Sequence, residues 1–197
     1  VGRVGGVKQI LLMIALVGLV GCGGSEEETS QKSESPKAAP EKLITDPIVE
    51  KAVRENLYEP PMELTKADLE KMTKLYLAEK KLTKVPKSLE KLTMLEVLQL
   101  DGNRLTDVKG LENLTQLREL WLQSNRLTDV KGLENLTQLR ELHLAYNQLT
   151  DVKGLEKLTQ LKLLNLLGNP DLTKAQIAQL RKTLPNCKIY CNLDLTK

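Results

Sequence analysis

The stretch that decides the fold is residues 117–138, LRELWLQSNRLTDVKGLENLTQ, in which a short leucine-rich pattern is followed by a polar return segment. Copies of this 22-residue unit begin at Met72, Leu95, Leu117, Leu139 and Leu161. The run 103–120 is repeated letter for letter as 125–142. One such unit is too small to bury its own apolar face, so five copies predict a solenoid in which each unit stacks on its neighbour.

Each unit contains two leucines that alternate along a short strand, as Leu120 and Leu122 do. Stacked copies bring such strands about 4.8 Å apart in a parallel sheet, where the leucines form continuous columns on one face. The residues between them, such as Trp121, then point to the other face. We therefore expect an α/β solenoid built on a parallel β-sheet.

Residues 43–71 do not follow the repeat and are predicted to form a helical cap. Asp46 fits the N-cap of a helix and Pro47 its first position. A second short helix is expected after Thr65, because Asp68 three residues later completes a capping box. Without this cap the first leucine column would face water.

Residues 173–197 are predicted to cap the other end, with a helix that starts at the capping box of Thr173 and Gln176. Cys187 and Cys191 follow this helix. In extended chain their Cα atoms lie about 13 Å apart, whereas a disulfide requires about 4.4 to 6.8 Å. A disulfide would need a tight turn here, so the sequence leaves open whether they pair or remain one buried and one exposed thiol.

The period and the pattern L-x-x-L-x-L-x-x-N-x-L resemble the leucine-rich repeat, and the return L-T-D-V-K-G-L-E-N-L is similar to the short bacterial form of internalin-like surface proteins. The motif D-P-x-x-x-x-A-V-R-E-x-L, followed by L-T-x-x-D-L, resembles the N-terminal cap of those proteins. The resemblance covers residues 43–192, with five repeats in 72–172. It implies a horseshoe with the parallel sheet on its concave face and a role in binding.

The N-terminal 42 residues precede the predicted cap. Residues 1–21 contain two cations ahead of an apolar run that is too short for the ~20 helical residues needed to cross a bilayer, which is typical of a signal peptide. Leu19-Val20-Gly21-Cys22 resembles the bacterial lipobox, which implies that Cys22 is lipidated and becomes the mature N-terminus. The alternative is an ordinary secretory signal with an incidental cysteine. Residues 22–42 are rich in Gly, Ser, Glu, Lys and Pro, which favours a disordered tether.

These features predict an extracytoplasmic protein, at the bacterial cell surface or in the periplasm, that meets the membrane only through its N-terminal lipid. The net charge of +3 is small and of mixed origin. Lysine and aspartate columns recur in the return segments, and we expect them to form a solvated convex face. The residues in these columns are Lys109, Lys131, Lys153, Asp107, Asp129 and Asp151. Nothing in this pattern favours a nucleic-acid partner.

The positions between the strand leucines vary from copy to copy, while the return segments stay nearly identical. The predicted partner-binding residues on this concave face are Tyr76, Gln99, Asp101, Trp121, Gln123, His143 and Asn165. We expect Tyr76, Trp121 and His143 to share one exposed column, with the two larger aromatics as anchors, because Trp and Tyr are enriched at binding hot spots. The alternative is that unselected strand positions drift and tolerate aromatic residues.

The other polar residues are predicted to have a structural role or no role in binding or catalysis. Asn103, Asn125, Asn147 and Asn169 form an asparagine ladder that is expected to bond backbone groups of neighbouring turns. Glu119 and Glu141 beside His143 make an incomplete metal set, so no metal or other cofactor is expected. His143 has no nucleophile partner, and no catalytic constellation can be assembled from the sequence.

The function predicted from these observations is a non-enzymatic, monomeric module that binds a protein or peptide of unknown identity through the concave face. One alternative is a carbohydrate or cell-wall binder in which Trp121 and Tyr76 stack on sugar rings. Another is a passive envelope or adhesion scaffold.

Overall fold

The computed structural model describes residues 42–57 and 60–192. The predicted signal peptide, Cys22 and nearly all of the predicted tether lie outside the described residues, as do the last five residues of the predicted C-terminal cap. Within the described ranges, no helix has the length and apolar character needed to cross a membrane.

Six short strands form one parallel sheet in chain order. They are β1 Lys74–Tyr76, β2 Val97–Gln99, β3 Glu119–Trp121, β4 Glu141–His143, β5 Leu163–Asn165 and β6 Lys188–Tyr190. The register pairs the central residues Leu75, Leu98, Leu120, Leu142, Leu164 and Ile189. All six are buried. The predicted solenoid is confirmed, and its sheet continues by one strand into the C-terminal cap.

The leucines of strands and return segments pack into one continuous core along the repeats. In the third copy, Leu117, Leu120 and Leu122 meet Leu127 and Leu133, and none of the five is exposed. Burying a leucine side chain contributes about 1.5 to 3 kcal/mol, so the columns supply most of the stabilising free energy. The return segments include three 3₁₀ helices, Lys87–Lys91, Leu133–Asn135 and Leu155–Lys157.

In residues 42–57 and 60–73, two helices precede the sheet and belong to the N-terminal cap. Helix α1 spans Pro47–Asn56, and its N-cap Asp46 accepts hydrogen bonds from the backbone of Ile48 and Val49. Helix α2 spans Lys66–Glu70 and begins with a complete capping box of Thr65 and Asp68. Helix α1 contacts β1, so its buried face covers the first leucine column.

One helix follows the repeats. Helix α3 spans Lys174–Thr183, and Thr173 and Gln176 form its capping box. Ile177 and Leu180 are buried on its inner side. Both ends of the leucine core are therefore covered by helices, as the fold prediction requires.

The buried asparagines join each repeat to the one before it. Asn125 accepts a hydrogen bond from the backbone N–H of Leu105 at 2.9 Å and donates to the carbonyls of Leu100 at 3.0 Å and Leu122 at 3.1 Å. The same pattern recurs at Asn103, Asn147 and Asn169. Each side chain thus satisfies buried backbone groups of two consecutive repeats.

The acidic residues of the return segments accept hydrogen bonds from their own turns. Asp129 accepts from the backbone of Lys131 at 3.0 Å, and Glu134 accepts from the backbone of Gly132 at 2.6 Å. Equivalent bonds occur in the neighbouring repeats. The aspartates predicted to be merely solvated charges therefore also stabilise the turns.

The substitution Glu134→Gln should make the free energy of unfolding less dependent on pH at acidic pH. Backbone N–H groups of Glu134 itself and of Gly132 hold the pKa of the Glu134 carboxyl below its ordinary value of 4.5. A lowered folded-state pKa stabilises the protein above the unfolded pKa, and this contribution is lost as the pH falls through the folded one. Between pH 6 and pH 3, urea unfolding should show a smaller loss of unfolding free energy in Glu134→Gln than in the wild type. The glutamine amide oxygen still accepts the backbone bonds but does not titrate. Glu90→Gln, at an exposed position, is the control, and an equal change in both variants would contradict the prediction.

Candidate functional site

The face of the sheet opposite the leucine core carries one side chain per strand in a straight row. The register aligns Tyr76, Gln99, Trp121, His143, Asn165 and Tyr190. We call these six residues the concave column. Parallel strands lie about 4.8 Å apart, so the five steps of the column span about 24 Å. Five of the seven predicted binding residues are in this column, and the other two flank it.

The column is not uniformly exposed, which corrects the prediction of one exposed column. Tyr76 is 46% exposed and Tyr190 is 36% exposed, and they lie at the two ends. The four residues between them are half-buried. Neighbouring strands bring these side chains into contact, so each covers part of the next. Exposure alone therefore does not mark the middle of the site.

The rings of Trp121 and His143 are stacked at the centre of the column. Their centroids are 4.0 Å apart and their planes differ by 16°. His143 Nε2 also lies 3.6 Å from a carboxylate oxygen of Glu141 on the same strand. One face of the indole is therefore covered, and a ligand reaches Trp121 mainly at its edge.

Tyr190 belongs to the column although sequence reasoning missed it. It lies outside the repeat, where no leucine spacing sets the register. The apolar Ile189 between two polar or aromatic residues was the available sign of a strand. In the structure Tyr190 lies beside Asn165, and the ammonium of Lys188 lies 4.9 Å from the centroid of its ring.

Two flanking columns run beside the concave column. The flanking column on one side contains Lys74, Val97, Glu119, Glu141, Leu163 and Lys188. On the other side the two predicted binding residues Asp101 and Gln123 are half-buried, and Ala145 is only 3% exposed. The centre of the face is therefore acidic, with Asp101, Glu119 and Glu141 around the stacked rings.

Four polar atoms in this centre are buried and have no hydrogen-bond partner among the described residues. They are Asp101 Oδ1, Trp121 Nε1, Gln123 Oε1 and His143 Nε2. Each such atom costs about 1 to 3 kcal/mol of stability. All four belong to residues predicted to bind a partner, while the asparagine ladder nearby is fully bonded. The unsatisfied polar atoms are thus concentrated where the copies of the repeat differ most.

The remaining predicted residues contribute less. Asn165 Oδ1 accepts a hydrogen bond from the backbone of Leu167 at 3.2 Å, so this oxygen is already engaged within its own turn. Gln99 is half-buried between Tyr76 and Trp121. Cys22 lies outside the described residues. In the described part of the chain, no group of three or more His, Cys, Asp or Glu side chains is placed to hold a metal ion.

The two cysteines of the C-terminal cap are thiols rather than a disulfide. Cys191 is 3% exposed and lies beneath Arg181, whose guanidinium is 3.7 Å from the sulfur. Cys187 is half-buried, and burial raises the pKa of its thiol to about 11. A thiol with this pKa is a poor nucleophile at neutral pH.

Tyr146 is a second aromatic residue that sequence reasoning missed. It is 66% exposed and occupies the left-handed turn position just before the ladder residue Asn147, with φ of 56°. Its ring and backbone lie against Gly168, the corresponding residue of the next repeat. The turn after β4 can therefore present the Tyr146 ring because Gly168, which lies against it, lacks a Cβ.

Gly168→Ala should destabilise the protein more than Gly102→Ala, although both glycines have similar positive φ values, 70° and 65°. A Cβ at 168 would lie 2.5 Å from Tyr146 Cδ1 and 3.0 Å from its backbone. A Cβ at 102 would lie 2.9 Å from the flexible side chain of Glu79 and no closer than 3.7 Å to its backbone. Left-handed backbone costs each alanine about 1 to 2 kcal/mol. Overpacking should add about 1 to 3 kcal/mol at 168. Thermal unfolding of both variants measures the difference, and equal losses would contradict it.

Comparison with known proteins shows that the repeats are similar to leucine-rich repeats. The family model described as Leucine Rich repeats (2 copies) matches residues 93–135 and 137–182. The internalin inlF of Listeria monocytogenes is similar with a TM-score of 0.65 and 31% identity, over 75% of this chain and 43% of inlF. The chain thus spans less than half the length of that relative. No protein with a curated description matches.

Two further solved structures share lower similarity with the chain. A leucine-rich repeat protein of Leptospira interrogans has a TM-score of 0.48 at 28% identity, over 62% of this chain and 38% of its own. Internalin C2 of Listeria monocytogenes has a TM-score of 0.45 at 17% identity, over 76% of this chain and 95% of its own.

Proposed function

We propose that this chain, an internalin-like leucine-rich repeat protein, is a non-enzymatic module that binds a protein or peptide along its concave column. The observation that carries the proposal is the concentration of unsatisfied polar atoms and variable aromatic residues on one sheet face. The return segments of the same repeats are nearly identical, and the buried asparagines that precede them are hydrogen-bonded. A constant scaffold with one variable face is the arrangement expected of a binding protein.

The concave column has the chemistry of a binding hot spot. Its ends are exposed tyrosines and its centre is a half-buried tryptophan, and both residue types contribute strongly to interfaces when a partner covers them. Asp101, Gln123 and His143 add hydrogen-bonding groups around the centre. A central aromatic cluster surrounded by polar groups is the usual composition of a protein interface.

The carbohydrate alternative is less well supported by the positions of the rings. Sugar stacking requires an open aromatic face, whereas His143 covers one face of Trp121. The ammonium of Lys188 likewise lies over the ring of Tyr190. Among the described aromatic residues of the concave column, Tyr76 alone has neither a stacked ring nor a cation over its face. A protein or peptide, which can use ring edges and polar groups together, fits this surface better.

Two further parts of the proposal rest on the sequence. The segment 19–22 supports lipidation at Cys22, and with it attachment to a bacterial membrane at the cell surface or in the periplasm. We also propose that the chain is a monomer. Metabolic labelling with a radioactive or clickable palmitate should mark the wild-type chain and not Cys22→Ser. The proposal that the module is non-enzymatic also rests on the sequence, from which no catalytic constellation can be assembled around His143.

Capture from native envelope extract tests the binding proposal. The baits are the wild-type chain, a Tyr76→Ala/Trp121→Ala double variant and a Met94→Ala control, all checked for equal thermal midpoints. Met94 is a matched control because it is 46% exposed, like Tyr76, and lies outside the concave column. A partner recovered by wild type and Met94→Ala but not by the double variant supports the proposal. Equal recovery by all three would place the binding site elsewhere.

A further inference from the structure

The centre of the concave face has a charge opposite to that of the whole chain. The chain has a net charge of +3, yet three adjacent strands or their ends present Asp101, Glu119 and Glu141 on this face. Glu119 and Glu141 are paired in register on β3 and β4, where like charges repel. A cation brought by a ligand would relieve this repulsion.

The lysines and arginines in the described part of the chain do not neutralise these carboxylates. Within the described residues, no lysine or arginine forms an ion pair with Asp101, Glu119 or Glu141. The nearby Arg118 is instead 3.7 Å from Glu96. The one basic group beside them is His143, near Glu141.

Hydrogen bonding points to the same kind of ligand. Asp101 Oδ1 and Gln123 Oε1 are acceptors without donors among the described residues. Both side chains are half-buried at the side of the concave column. A guanidinium carries five N–H donors in a planar fork, and this fork matches the two oxygens of a carboxylate.

We infer that the concave column binds an extended peptide segment with a basic side chain, preferably arginine, at its centre, beside the exposed edge of Trp121 and between Glu141 and Asp101. This inference rests on the proposed function and specifies its partner. The column spans about 24 Å, which corresponds to about seven residues of extended chain. The terminal tyrosines would contact the two ends of the segment.

The outer strands restrict the basic residue to the centre of the peptide. Lys74 on β1 and Lys188 on β6 occupy the same flanking column as the two central glutamates. Both lysines are exposed. The charge along this flanking column is therefore positive, negative, then positive, and a uniformly basic peptide would be repelled at both ends. Neutral or acidic residues should be preferred there.

Selection from a display library of random nine-residue peptides tests the inference. The targets are the full wild-type chain, the isosteric triple variant Asp101→Asn/Glu119→Gln/Glu141→Gln and the Tyr76→Ala/Trp121→Ala variant. The control is Glu55→Gln/Glu63→Gln/Glu90→Gln, which removes the same charge from exposed positions outside the sheet. Peptides selected by wild type are then measured individually by fluorescence anisotropy.

We expect at least a threefold enrichment of Arg and Lys near the centre of peptides that need Tyr76 and Trp121 for binding. Changing the central Arg to citrulline should weaken binding at least tenfold. The triple variant should lose the enrichment and the control should keep it. Column-dependent peptides without basic enrichment, or with enrichment kept by the triple variant, would overturn the inference and leave the proposed function standing. Selected peptides that bind independently of Tyr76 and Trp121, or a selection that yields no binders, would overturn both.

Discussion

Replacing Asn125 with alanine is expected to lower the free energy of unfolding by about 2 to 4 kcal/mol, because one buried N–H loses its partner and two buried carbonyls each keep only the amide of a neighbouring ladder asparagine, Asn103 or Asn147. The lost partners are the N–H of Leu105 and the carbonyls of Leu100 and Leu122, all within 3.1 Å of the amide. The side chain is 7% exposed, so water cannot easily replace it. Urea unfolding followed by circular dichroism measures the change.

Asn113→Ala is the matched control for this prediction. Asn113 lies in a return segment, is exposed, and has a lysine in the corresponding position of the fourth copy, Lys157. Its replacement should change the unfolding free energy by no more than about 0.5 kcal/mol, as is usual for surface sites. Similar losses in the two variants would show that the ladder does not stabilise the repeats in the way the hydrogen bonds indicate.

Replacing Trp121 with alanine is expected to weaken binding of the captured partner at least about 30-fold, which corresponds to the 2 kcal/mol or more typical of a hot spot. Trp121 lies at the centre of the column, where a partner would exclude water most completely. The substitution also removes the stack with His143, so the variant is compared only at temperatures well below its own unfolding midpoint. Surface plasmon resonance with the immobilised chain measures the dissociation constant.

Met94→Ala should leave the same dissociation constant within about twofold, because a scattered exposed apolar residue outside the interface contributes little. The dissociation constant of Tyr76→Ala should lie between those of Met94→Ala and Trp121→Ala, because Tyr76 is at the rim rather than the centre of the column. A loss of affinity in Met94→Ala as large as that in Trp121→Ala would indicate a general loss of folded protein rather than a local contact.

The spacing of the leucines was sufficient to predict the sheet. Because side chains alternate along a strand, a register slip of one residue would move Leu98, Leu120 and Leu142 to the wrong face. Only one register buries all of them, and the structure has that register. The capping boxes at Thr65 and Thr173 could also be predicted from the sequence, because their hydrogen bonds join residues only three positions apart.

The details of the candidate site could not be predicted in the same way. The stack of Trp121 on His143 depends on the side-chain torsions of residues 22 positions apart, which no local pattern specifies. Tyr190 enters the column through a strand that lies beyond the repeats. The hydrogen bonds of Asp129 and Glu134 to their own turns depend on local loop conformation, so the sequence predicted Asp129 only as a surface charge and gave no role to Glu134.

Site-specific photocrosslinking tests the central claim, that the partner binds along the concave column, most directly. A benzophenone amino acid would replace Tyr76 or Tyr190 on this face, and Met94 or Lys131 away from it, in otherwise wild-type chains. Irradiation of the complex should yield covalent adducts from positions 76 and 190 and none from positions 94 and 131. Adducts from 94 or 131, without adducts from the two tyrosine positions, would contradict the account.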